Sequence, residues 1–171
     1  SGGICLTARL NRIGIVKGGK AMITVSKQTE AVMRLAKEAA REYGLGYVGT
    51  EHLLLGIVRE GQGLGAQVLL ELGVTEYNTQ AEVDRRVHAR LNETWVLGRL
   101  PGTPHFRDVW ARAEAEARGS ANWQISSEHL LLALLAERDS VGHQVLQALG
   151  VSLESVRRSI ARRRTVCRQS V

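Results

Sequence analysis

An all-α fold, two pseudo-twofold-related repeats of four helices each, is what this sequence predicts, on three observations. The chain states one segment twice: residues 50–75 and 127–152 align without a gap at a constant offset of 77, with thirteen of twenty-six positions identical. The shared residues include Glu51/Glu128, His52/His129, three successive leucines from Leu53 and from Leu130, and the closing Leu72-Gly73-Val74/Leu149-Gly150-Val151. A repeat of this kind constrains architecture before any single residue is argued. Composition is the second observation: 44% hydrophobic, 4% aromatic and two prolines favour helix over strand. Third, apolar residues recur at helical spacing between capping and breaking residues along most of the chain.

Residues 1–21 are glycine-rich and carry no helix start, so they read as a disordered leader or appended residues, with Met22 as the initiator. A domain over 22–160 follows. Ser26 is the N-cap of a first helix whose apolar face is Val32, Leu35, Ala36, Ala39 and Ala40; it runs to Tyr43 and Gly44 stops it. Thr50 caps the second helix, which carries Leu53, Leu54, Ile57 and Val58 on one face, and Gly61-Gln62-Gly63 breaks it. The third spans 64–72, leaving Gly73 where a left-handed residue is wanted. Thr75 opens the fourth, through Val83, Val87 and Leu91. These elements make repeat one, 25–91.

Gly98, Pro101 and Gly102 mark residues 92–103 as a linker. Repeat two, 104–160, repeats the programme. Its first helix covers 104–118, with Pro104 suited to a first turn. The next begins at Ser127, the third near Ser140, and the last is capped by Ser152 and packs Val156 and Ile160. The arginine-rich 161–171 reads as a frayed, solvated basic tail.

The net charge of +6 misleads until it is mapped. Residues 1–21 hold Arg9, Arg12, Lys17 and Lys20 without an acid, and 161–171 hold Arg162, Arg163, Arg164 and Arg168. The remainder carries 15 basic and 17 acidic residues. Nucleic-acid binding would therefore rest on the two ends alone, and the acidic balance between them argues against it. No apolar run approaches the roughly 18–20 residues that a bilayer crossing requires, which argues against a membrane. The N-terminus has no signal-peptide pattern. Cys5 and Cys167 are too far towards the ends to frame a disulfide scaffold or zinc site. A cytoplasmic protein is the expectation.

The run G-T-E-H-L-L-L-G-I-V-R-E-G-x-G beginning at Gly49, with its later L-G-V at Leu72, closely resembles the Clp N-terminal domain. That domain is the double Clp repeat at the front of ClpC- and ClpA-type AAA+ unfoldases. The resemblance covers roughly 22–160 and is strongest from about 25 to 74. It implies a non-catalytic docking domain, without cofactor, whose partners are protein substrates or adaptors and a Clp unfoldase or peptidase. In the ClpC branch it further implies a receptor for phosphoarginine, a degradation mark. There the Glu of each repeat binds the guanidinium and the adjoining helix start receives the phosphate. Carried onto this chain, the site residues are Thr50 and Glu51 in repeat one, and Ser127 and Glu128 in repeat two.

The chemistry is coherent on its own terms. A helix N-terminus offers unpaired N–H groups and partial positive charge to a phosphate. The Thr50 hydroxyl adds a donor, and a neighbouring carboxylate can pair with a planar guanidinium through two parallel hydrogen bonds. A plainer reading stands beside this one. Thr or Ser followed by Glu is also simply a good helix start, worth about 1 kcal/mol as a cap. His52 and His129 read more readily as core or cap-packing residues than as ligands.

The departures are specific. Repeat two has Ser126 where the family pattern has glycine, which keeps its backbone further from a phosphate. Its counterpart of Arg-Glu-Gly-Gln-Gly is Ala-Glu-Arg-Asp-Ser, and Val25 stands where the family has an aromatic residue. No AAA+ module follows, so the chain reads as a free-standing accessory subunit of a Clp ring or as one piece of a longer unfoldase. The segment from Gly14 to Lys20 fits G-x-x-x-x-G-K, but Ala21 replaces the magnesium-binding hydroxyl and strand–helix context is missing. The five histidines (52, 88, 105, 129, 143) are not spaced as a metal cluster, although structure must decide His129 and His143. Without H-E-x-x-H, C-x-x-C or G-x-S-x-G, an enzyme is not expected.

Overall fold

A computed structural model describes residues 23–91, 103–119 and 123–169. The leader and most of the 92–103 linker lie outside the described residues. The elements are β1 (Thr24–Val25), α1 (Lys27–Glu42), α2 (Thr50–Glu60), α3 (Leu64–Glu71), α4 (Glu76–Leu91), α5 (Pro104–Arg118), β2 (Gln124–Ile125), α6 (Ser127–Ala136), α7 (Val141–Ala148) and α8 (Leu153–Gln169). Each helix from α5 to α8 starts 77 residues after its counterpart from α1 to α4. The fold is all-α, as the repeat predicts.

Local chemistry explains the boundaries. The Ser26 hydroxyl accepts the Thr29 N–H at 3.1 Å, and the Thr103 hydroxyl accepts the Phe106 N–H at 3.2 Å. Thr75 and Ser152 do the same for the N–H groups of Asn78 and Ser155. Gly73, at φ +81°, takes the left-handed turn after α3. One cap departs from expectation. Thr50 is the first helical residue, and Gly49 is the N-cap. The reason is His52, whose Nδ1 reaches back to accept the Gly49 N–H at 2.9 Å. His129 does the same for Ser126 at 3.0 Å. With the imidazole closing the helix start, the Thr50 and Ser127 hydroxyls are released for other partners.

The core forms around α2 and α6. Leu53, Leu54, Leu55, Ile57, Leu130, Leu131 and Leu134 are fully buried. A helix that is apolar on most faces belongs at the centre of its fold, and each buried leucine contributes about 1.5–3 kcal/mol. α1 lies along α2 and α5 along α6, while the third helices cross over: α3 packs on α6 and α8, and α7 packs on α2 and α4. The repeats are therefore interlocked rather than merely adjacent.

Two short backbone pairings reinforce the interlock, and the helical pattern gave no sign of either. β1 pairs in parallel with β2, and the Ser26 N–H continues the ladder to the Ile125 carbonyl at 3.0 Å. At the positions shifted by 77, the Thr103 N–H donates to the Val48 carbonyl at 3.3 Å. The segment entering the first helix of each repeat is thus fastened to the segment entering the second helix of the other.

The frayed tail expected beyond Arg162 is a correction. α8 continues to Gln169, because its arginines meet acids on other helices. Arg162 and Arg163 both pair with Glu71, at 2.7 and 3.0 Å, and Arg164 pairs with Glu128 at 3.4 Å. Among the described residues no helix is long and apolar enough to cross a membrane.

Candidate functional site

The four residues singled out by sequence lie at the starts of α2 and α6, and all four are buried: Thr50 is 2% exposed, Glu51 6%, Ser127 1% and Glu128 8%. The structure does not bring the two pairs into one pocket. It repeats one arrangement at two helix starts. In each, the hydroxyl faces the other repeat. Thr50 Oγ1 accepts the Gly142 N–H at 3.0 Å, and Ser127 Oγ accepts the Gly65 N–H at 3.0 Å. These donors stand in the first turns of α7 and α3. A Cβ on Gly142 would sit 2.8 Å from the Thr50 carbonyl oxygen, and one on Gly65 would sit 2.6 Å from that of Ser127. The helix starts can meet this closely because glycine occupies both positions.

The carboxylates differ. Glu51 folds back over its own helix start, where Oε2 lies 3.5 Å from the Thr50 hydroxyl and Oε1 3.7 Å from His52 Nδ1. Gly49 makes room for it, since a Cβ at Gly49 would overlap the Glu51 carboxylate. Repeat two has Ser126 there, and Glu128 turns to Arg164 instead. Among the described residues, Glu51 is within ion-pair distance of His52 alone.

His52 does not supply that missing charge. Burial pushes its pKa below the ordinary value against the opposing pull of Glu51. Its Nδ1 already accepts a hydrogen bond, so the ring proton sits on Nε2, which is buried and has no hydrogen-bond partner among the described residues. Tyr43 and Tyr47 flank the ring at centroid distances of 5.6 and 6.4 Å. His129 is also lowered, by burial first, with Glu128 opposing and Arg164 adding to the effect. Both histidines are therefore neutral caps near neutral pH. The site-one carboxylate sits at the positive end of a helix, next to a neutral ring.

Other chemistry-bearing groups resolve differently. His143 Nδ1 lies 2.9 Å from the Leu135 carbonyl, so His129 and His143 are each engaged separately. The structure brings together a set that sequence spacing missed: His105, Asp108 and Glu137 offer ligand atoms within 4.8 Å of one another. Glu137 is 32 residues from His105, so no local motif could reveal the set. Arg112 already takes Glu137 Oε2 at 3.2 Å. The G-x-x-x-x-G-K segment and Cys5 lie outside the described residues. Arg164 is the site residue that sequence reasoning passed over. The available signal was the 77-residue offset, which sets Arg164 against Val87 in repeat one.

Comparison with known proteins agrees with this architecture. The family model described as the Clp repeat (R) N-terminal domain matches residues 24–95 and 102–168. The chain is 37% identical over 131 residues to the chloroplastic chaperone protein ClpC of Pisum sativum, covering 77% of this chain and 14% of that protein. Against the chloroplastic ClpC1 of Arabidopsis thaliana it is 34% identical over 157 residues, 88% of this chain and 17% of that one. The chaperone protein ClpB of Oceanobacillus iheyensis is 34% identical over 135 residues, covering 79% and 16%. The chain thus spans about a sixth of the length of these relatives. In fold it matches the solved N-terminal domain of the ClpD chaperone from Arabidopsis thaliana, with a TM-score of 0.63 over 81% of this chain and 96% of that chain at 20% identity. Two interlocked Clp repeats matched along nearly all of the described residues make this chain a member of the Clp N-terminal domain family.

Proposed function

We propose that this chain recognises protein substrates or adaptors for a Clp unfoldase and its peptidase, and that Glu51 receives the guanidinium of a phosphoarginine-marked protein. The observation that carries the proposal is the Glu51 carboxylate, 8% exposed, without a Lys or Arg partner among the described residues. A buried carboxylate lacking a counter-charge is costly, and an incoming guanidinium would compensate it in a low-dielectric setting where such pairs are strong. The start of α2 beside it offers first-turn N–H groups to the phosphate. The Thr50 hydroxyl accepts the Gly142 N–H and turns its own proton towards Glu51 Oε2 at 3.5 Å, so it serves by orienting the carboxylate. Ser127 and Glu128 stand at the corresponding positions of repeat two, where Glu128 is already paired with Arg164.

Calorimetric titration with free phosphoarginine tests this reading. The wild-type chain is expected to bind, and Glu51→Ala to lose that binding while keeping its helical circular dichroism. Absence of heat with wild-type protein, or undiminished binding by Glu51→Ala, would remove the phosphoarginine reading.

A further inference from the structure

The two repeats share a backbone plan, yet one of their two site carboxylates is already matched with a guanidinium from the chain itself. Arg164, on the fourth helix of repeat two, places Nη2 3.4 Å from Glu128 Oε1. The position 77 residues earlier is Val87, which is 7% exposed and belongs to the apolar core. The flanking arginine does not show this asymmetry. Arg163 reaches the Gln67 carbonyl, and Arg86, its counterpart, reaches the Gln144 carbonyl. Position 164 therefore carries a side chain of different chemistry on a conserved frame, and it meets the one carboxylate that corresponds to Glu51.

We propose that Arg164 is a built-in guanidinium that occupies Glu128, so that repeat two is self-closed and repeat one alone is open to an arginine-bearing ligand. This rests on the reading of Glu51 as a guanidinium receptor. The Arg164–Glu128 contact is a direct one. At 3.4 Å, with the Arg164 side chain 55% exposed, it is a single-point pair near solvent, weaker than a bidentate one. Ser126 adds to the difference. In place of Gly49 it denies Glu128 the folded-back position that Glu51 takes, leaving Glu128 turned towards α8. The duplicated domain thus acts as one receptor with a second site held in reserve behind an internal competitor.

Stoichiometry tests it. Wild-type chain, Arg164→Ala and Arg164→Gln are titrated calorimetrically with free phosphoarginine, each with and without Glu51→Ala, and circular dichroism establishes that every variant is folded. One site is expected in the wild type and two in both Arg164 variants. In the Glu51→Ala background the expected counts are none and one. Two sites in the wild type, or a count unchanged by both Arg164 substitutions, would overturn self-closure and leave the Glu51 reading standing. Absence of binding in every protein would overturn the Glu51 reading and self-closure with it.

Discussion

Thr50 and Gly142 stand 92 residues apart and are joined by a hydrogen bond, with the Thr50 hydroxyl accepting the Gly142 N–H at 3.0 Å. Shifting both partners by the repeat offset gives Ser127 and Gly65, again at 3.0 Å. Each repeat thereby supplies an acceptor to the first turn of the other's third helix, where N–H groups have no intrahelical partner. Thr50→Val keeps the shape and removes the acceptor, leaving a buried N–H unpaired. Urea denaturation is expected to register a loss of about 1–3 kcal/mol. Thr50→Ser, which copies repeat two and keeps the acceptor, is expected to lose only about 1 kcal/mol, for the buried methyl.

Stability should fall as the solution is acidified below pH 6.5. His52 and His129 both have folded pKa values lowered by burial, so the unfolded chain binds protons that the folded one refuses. Their contribution is fully present above the unfolded value and is lost as pH drops through the window below it. Each histidine adds a slope of at most about 1.4 kcal/mol per pH unit. Denaturation at pH 7.5 and 5.0 measures the slope. The double variant His52→Gln/His129→Gln keeps an acceptor at the third helical position and cannot titrate, so it should flatten the profile.

Ion pairs in this fold are unequal. Arg59 is 16% exposed, reaches both oxygens of Glu42 at 3.1 and 2.9 Å, and also bonds Glu76 at 2.8 Å. Hydrogen bonds with Glu42 raise its pKa first, as expected for a charge held by its partners. The Arg158–Glu154 pair is 68% and 83% exposed. Arg59→Met is expected to cost about 1–3 kcal/mol, because it frees α2 from α1 and α4. Arg158→Met should cost less than about 0.5 kcal/mol. Equal costs in paired denaturation curves would contradict this ranking.

Gly49→Ser gives repeat one the cap residue of repeat two. Serine is a good N-cap, so the melting temperature should hold. Its Cβ would displace the Glu51 carboxylate. Phosphoarginine affinity is expected to fall at least about tenfold, roughly 1.4 kcal/mol.

The helix count and order were legible because the 77-residue repeat and the helical period agreed at every element, and the capping residues agreed at all but α2, where the cap is Gly49 rather than Thr50. Pro104–Arg118 was read to the residue, and Gly73 takes the left-handed turn expected of it. Local pattern could not show how the repeats exchange their third helices. The Thr50–Gly142 and Ser127–Gly65 bonds join residues far apart in sequence, and glycine there marks a close approach to a neighbour known only in three dimensions. The strand pairing of Thr24–Val25 with Gln124–Ile125 was hidden for the same reason. Arg162, Arg163 and Arg164 looked like a solvated tail because their partners, Glu71 and Glu128, lie on other helices. At the candidate site, the residue types were readable from the duplicated motif. Their inequality was not, because it depends on which way two carboxylates turn.

The most direct test is a series of amide proton–nitrogen correlation spectra of the labelled chain with increasing free phosphoarginine. Saturable shifts are expected at Gly49, Thr50, Glu51 and His52, with the matching amides from Ser126 to His129 unmoved until Arg164 is replaced. Spectra that do not change, or shifts that fall elsewhere on the domain, would contradict this expectation.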